Sequence, residues 1–248
     1  MMTTMDIAEI RVHLRRTEWH DFPDVYVVTS DVAAVKRHAL YAPAKEGDAR
    51  AADGLIDDFV NDEYIQRIGA ALISSPFLLA VHALESEGMN AIPRVFARKL
   101  SALLGVPVAS GIIQINRVSH TGADGYHRLA FPAIFDGKVE PVEYFLVDDF
   151  VGQGGTLANL RGFVETNGGV VLGATALTGK SYSAKLALNE DTLWHLRNKH
   201  GTEFEKWWVA AFGYGFEKLT ESEARYLGRA DNAHAISERL AFARRAGD

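Results

Sequence analysis

Apolar residues in this chain fall into two kinds of segment that alternate from the N-terminal region to about residue 185. Short continuous runs at Val25–Val28, Phe77–Val81, Val106–Ile115, Tyr144–Val147 and Val170–Leu177 predict buried strands. Between them, Asp62–Leu72, Ile92–Leu104 and Leu157–Thr166 space their apolar positions three and four apart, which predicts helices. A strand, helix, strand alternation predicts an α/β fold, a central parallel sheet flanked by crossover helices. After residue 185 the pattern is helical throughout. Asn189-Glu190-Asp191-Thr192 reads as one helix start and Thr220-Glu221-Ser222-Glu223 as a capping box. The expected organisation is a core over residues 1–185, including an N-terminal flanking segment, and a helical C-terminal appendage over 186–248.

Composition narrows the possible chemistry. The 248 residues are 48% hydrophobic, enough for one substantial core with a smaller unit beside it. No cysteine is present, which excludes a disulfide framework and any thiolate ligand or nucleophile. A formal net charge of −6 argues against a general nucleic-acid surface. Apolar stretches are broken by Ser74-Ser75-Pro76 or by glycines, so neither a membrane span nor a signal peptide is expected, and a cytoplasmic location is the default.

The densest chemistry lies in Glu143–Leu157, EYFLVDDFVGQGGTL. A buried strand ends on Asp148 and Asp149, and a loop containing Gly152, Gly154 and Gly155 leads into a helix. Ligands of open α/β sheets bind beyond the carboxyl ends of strands, and a helix start after a glycine-rich loop presents unpaired N–H groups suited to phosphate. The two acids suit ribose hydroxyls or a magnesium shell instead. The plain alternative is a pair of aspartates capping a turn. Ala174–Ser181, ATALTGKS, fits a loose form of the nucleoside-triphosphate loop, but Val170–Leu177 reads as strand where that motif requires a glycine-rich loop.

Phe145-Leu146-Val147-Asp148-Asp149-Phe150-Val151 and Gly154-Gly155-Thr156-Leu157 resemble the signature of the type I phosphoribosyltransferases, with Gly152 and Gln153 standing where that family usually carries two threonines or similar residues. The resemblance implies a type I phosphoribosyltransferase-like sheet with a hood from the N- and C-terminal segments. It implies transfer of phosphoribosyl from phosphoribosyl diphosphate to a small nitrogenous acceptor, with release of pyrophosphate and with magnesium as cofactor. A noncatalytic sensor of phosphoribosyl diphosphate or a nucleotide is the alternative, and a homodimer is compatible with either.

Residue roles follow from the same resemblance. Asp148 and Asp149 are the expected catalytic pair, holding the metal indirectly through water or ribose. Val151, Gly152, Gln153, Gly154, Gly155 and Thr156 are the expected phosphate loop, with the Gln153 amide in place of a missing hydroxyl. His82, Ala83, Leu84, Glu85 and Ser86 occupy the place of the pyrophosphate loop, although no Lys or Arg is among them. Residues 116–136 are expected to form a mobile lid offering Arg117, His120 and Arg128. Lys180 and Tyr182 follow the next strand, on the acceptor side. Trp194, Trp207, Trp208, Phe212, Tyr214 and Phe216 read chiefly as core.

Overall fold

The computed structural model describes residues 14–82, 84–85, 88–116 and 124–247. Its elements run β1 (Tyr26–Thr29), α1 (Val32–Arg37), α2 (Tyr41–Lys45), α3 (Ala49–Phe59), α4 (Asp62–Ala71), β2 (Phe77–Ala80), β3 (Leu84–Glu85), β4 (Gly88–Met89), α5 (Ile92–Leu104), β5 (Ile112–Gln114), α6 (Gly125–Ala130), β6 (Phe135–Gly137), β7 (Glu143–Val151), α7 (Gly155–Thr166), β8 (Val170–Gly179), α8 (Glu190–Phe212), α9 (Glu221–Gly228) and α10 (Ala233–Gly247).

A central sheet of four parallel strands in the order β1-β8-β7-β2 is flanked by helices. The α/β architecture read from the alternation is therefore present. β7 lies in the interior of the sheet, and its side chains alternate between the two faces. Phe145 and Val147 pack with Leu55, Ile56, Ile68, Phe96 and Leu100 from α3, α4 and α5. Leu146 points the other way, into a cluster containing Leu157, Leu160 and Val164 of α7. Each such fully buried side chain contributes about 1.5–3 kcal/mol, so register errors that flip β7 by one residue are strongly disfavoured.

The region after α5 departs from expectation. Residues 106–115 do not form one strand. Val108 makes a single parallel bridge to Leu78, and Gly111, at φ 90°, then turns the chain so that β5 pairs antiparallel with β6 in a separate ribbon. A left-handed backbone at Gly111 ends the run for a reason that apolar periodicity does not register.

The described parts of the expected lid, residue 116 and residues 124–136, form defined structure. Asn116 donates to Pro132 O and accepts from Ile134 N–H, while Asp124 caps α6 by accepting from His127 N–H. Tyr126, Leu129 and Ala130 of α6 are buried in a third core, built mainly from Trp208, Phe212, Phe216, Leu227, Ile236 and Leu240 of the C-terminal helices. The capping box at Thr220 and Glu223 forms as the sequence predicts, and Asn189 caps the start of α8.

Candidate functional site

A cavity of about 220 Å³ opens at the carboxyl ends of β7 and β2. Asp148 and Asp149 belong to β7 itself, and both are buried. The Asp149 N–H donates to Asp148 Oδ1 at 2.8 Å, and the two side chains also interact directly. Lys45, the last residue of the short α2, donates to Asp149 Oδ2 at 3.0 Å. Asn90 lines the cavity beside them and also favours the Asp149 carboxylate through a hydrogen bond.

These partners push the two carboxyls apart. Burial, then the charge of Asp149, drives the Asp148 pKa well above the ordinary carboxylate value. Burial also opposes ionisation of Asp149, but the Lys45 charge and the hydrogen bonds of Lys45, Asp148 and Asn90 outweigh it and hold that pKa below the ordinary value. Of the two carboxyls Asp148 is therefore the one that takes up a proton first as pH falls, and Asp149 is the one that keeps its charge longest.

The glycine loop forms the floor of the same cavity. Gly154 takes φ 80° and starts α7 without a side-chain cap, so the first turn depends on groups from elsewhere for its N–H donors. The opposite wall comes from the chain termini. Arg16, from the N-terminal segment, donates to both Glu223 oxygens, at 2.5 and 2.9 Å, and to Asn159 Oδ1 of α7 at 2.7 Å. Its guanidinium also lies over the Tyr214 ring. Burial works against the charge of Arg16, but Glu223 reverses this and raises its pKa. Thr220 donates through Oγ1 to Gln153 O at 2.5 Å, which ties the glycine loop to the start of α9.

The expected site residues are divided by the fold. Val151, Gly152, Gln153, Gly154, Gly155 and Thr156 line the first cavity with Asp148 and Asp149. Lys180 and Tyr182 do not; they line a second, adjoining cavity. Arg128 borders both, from a helix rather than from a loop. His82 is half-buried with Nε2 2.7 Å from Met89 Sδ, and it does not line the cavity. Leu84 and Glu85 pair with β4 through their backbones. Ala83, Ser86, Arg117 and His120 lie outside the described residues.

Lys45, Asn90, Lys36 and Arg16 reach the cavity without any motif to announce them. Only Glu223 carried a signal, as the fourth residue of the capping box. A direct magnesium site does not suit this donor set. Lys45 already engages Asp149, and no group of three or more His, Asp or Glu among the described residues is arranged to hold a metal.

No family model matches the chain. It is 38% identical over 231 residues, 92% of its length, to Protein TraN of Escherichia coli, and 39% identical over 152 residues, 60% of its length, to an uncharacterized protein of Haemophilus influenzae. The chain spans about half of the first relative (51%) and about a third of the second (34%).

This relationship overturns the expected function. The match over most of the chain is to Protein TraN and not to a phosphoribosyltransferase, so transfer of phosphoribosyl to a nitrogenous acceptor, the sensor alternative and the corresponding ligands are withdrawn. A Cβ built on Gly155 would stand 2.6 Å from Glu223 Oε1. Glu223, held by Arg16, therefore packs closely against the start of α7.

Proposed function

We propose that this chain is a small-molecule-binding module related to about half of Protein TraN, and that it recognises a polar, hydroxyl-bearing ligand at the carboxyl ends of β7 and β2. The likeness of β7, its two acids and the glycine loop to type I phosphoribosyltransferases is retained only as a proposed kinship of fold. Because 92% of the chain aligns with Protein TraN, the corresponding half of that relative is proposed to carry the same cavity.

The observation that carries this reading is the opposed carboxyl pair. A structural cap needs one aspartate, whereas Asp148 and Asp149 are both buried on the wall of a cavity, with Asp148 the more readily protonated of the two. Vicinal hydroxyls complement that pair, one bonding to each carboxyl. Asn90 and Gln114, both buried and on the same lining, supply further amide groups. Buried polar groups of this kind favour ligands that replace the hydrogen bonds of water and penalise those that do not.

The test is a nuclear magnetic resonance screen of the full chain against polyols, sugars and hydroxy acids. Ligands are expected to perturb the amides of Asp148, Asp149 and Gly154, and to lose affinity in Asp149→Asn. Ligands that perturb only amides elsewhere, leaving those three unchanged, refute the reading.

A further inference from the structure

The second cavity, about 410 Å³, adjoins the first across Phe150, Gly152 and Gln153. Its lining holds four cationic side chains, Arg128, Lys180, Arg225 and Arg229, and no carboxylate. This is unusual in a chain whose formal charge is −6. The cause lies in how α9 partitions its charges.

Ser222, Arg225, Tyr226 and Arg229 recur at three- and four-residue spacing, which puts them on one side of the helix and of its C-terminal cap. They all line the cavity. The acids of α9 are used elsewhere. Glu221 accepts from Thr192 Oγ1 at 2.8 Å and from Asn189 N–H at 3.0 Å, and Glu223 is held by Arg16. Both are buried. Arg225 and Arg229 remain exposed and form no ion pair with the described residues. Asp124, the nearby carboxylate that acts on Arg128 and Tyr226, caps α6 and is not part of the lining.

Aromatic rings complete the wall. Tyr226 is braced against Tyr126, with ring centroids 4.9 Å apart, and Tyr182 is 58% exposed with the Lys180 ammonium 5.6 Å from its ring centre. Arg225 and Arg229, four residues apart on one helix face and without an ion pair among the described residues, repel one another, and a multiply charged anion relieves that repulsion while accepting several charge-assisted hydrogen bonds. Arginine forks match phosphoryl oxygens in particular.

We propose that the second cavity is a binding site for a small phosphate-class oligoanion, held by Arg225, Arg229 and Lys180 from one side and by Arg128 at the junction with the first cavity. The site stands independently of the ligand assigned to the carboxyl pair.

The experiment is isothermal titration of the full chain with inorganic tripolyphosphate at fixed ionic strength, beside acetate and a single-stranded oligonucleotide. The parent is expected to bind one tripolyphosphate and to ignore acetate. The double variant Arg225→Gln/Arg229→Gln, which removes two exposed side chains that form no ion pair among the described residues, is expected to bind it about tenfold more weakly or worse. Asp149→Asn is expected to leave this affinity unchanged, so failure of the first cavity's reading is told apart from failure of this one. No binding by the parent, or equal binding by parent and double variant, overturns the proposal. Oligonucleotide binding that competes with tripolyphosphate and tightens with strand length overturns it in favour of a nucleic-acid surface.

Discussion

Two buried charge clusters face each other across the first cavity, and they are built on opposite principles. Arg16 and Glu223 pair as one cation with one anion, their side chains only 3% exposed, and their remaining capacity is met by Asn159, the Lys218 carbonyl and the Thr220 backbone N–H. On the same cavity, Asp148 and Asp149 are two acids of which one, Asp149, is paired with Lys45 among the described residues, and burial and their mutual charge raise one pKa while Lys45 lowers the other. A balanced cluster holds parts of a fold together. An unbalanced cluster of buried acids keeps unspent hydrogen-bonding capacity, which is what a ligand uses.

The largest expected effects come from breaking the balanced side. Glu223→Gln or Arg16→Met leaves a buried partner uncompensated, and the expected loss is about 3–5 kcal/mol of unfolding free energy by chemical denaturation. Because Arg16 joins the N-terminal segment to both α7 and α9, the loss should be global, with a single unfolding transition in both variants. An effect below about 1 kcal/mol would remove the contrast on which the comparison rests.

Gly155→Ala tests the same cluster from the loop side. The new methyl group meets Glu223 Oε1, and that oxygen is held by Arg16, so it does not swing away freely. A loss of about 1–3 kcal/mol is expected, typical of overpacking. If Gly155→Ala is neutral, the carboxylate is less fixed over the start of α7 than the contacts imply.

The unbalanced side should respond less, and its two acids should respond with opposite signs. Asp149→Asn takes the counter-charge from Lys45 and should cost about 1–2 kcal/mol at neutral pH, while Asp148→Asn should be neutral or stabilising. Their pH dependences also differ. The Asp149 pKa is lowered in the folded protein, so its contribution is present above the unfolded value near 3.8 and is lost as pH falls through the folded value. The Asp148 pKa is raised, so the stability associated with its protonated form is full below about 3.8 and is lost as pH rises through the folded value. Denaturant titrations across acid to neutral pH should therefore show Asp148→Asn gaining on the parent as pH rises. Asp149→Asn should close its deficit as pH falls. Parallel curves for both variants would mean that the two carboxyls do not titrate apart.

Smallest of all is the response to magnesium. With Lys45 already on Asp149 and no third carboxylate or histidine arranged beside the pair among the described residues, millimolar magnesium added without a ligand should leave the melting temperature unchanged. A specific, saturable rise that disappears in Asp148→Asn would give the pair a metal-binding role.

Much of the sheet could be read in advance because its signals are local. Tyr144–Val147 and Val170–Leu177 are continuous apolar runs, and a buried interior strand leaves few other sequence patterns available. The capping boxes and caps at Asn189 and Thr220 were equally readable, since each is completed within four residues. The break at Gly111 and the burial of α6 in the C-terminal core were not, because one depends on a backbone angle and the other on residues about 80–110 positions away.

The paired aspartates at the end of a strand before a glycine loop were determined by the amino-acid sequence alone, and so was the α/β layout that points them to one edge of the sheet. What they do there was decided in three dimensions. Lys45 arrives from about 100 residues upstream to lower the pKa of one acid while burial raises that of the other, and Glu223 arrives from about 70 residues downstream to pack against Gly155. Electrostatic energy depends on distance through space and on burial. Chain order carries neither, so the same fifteen residues suggested a phosphate loop when read alone and line a cavity with two buried, unequal carboxyls when folded.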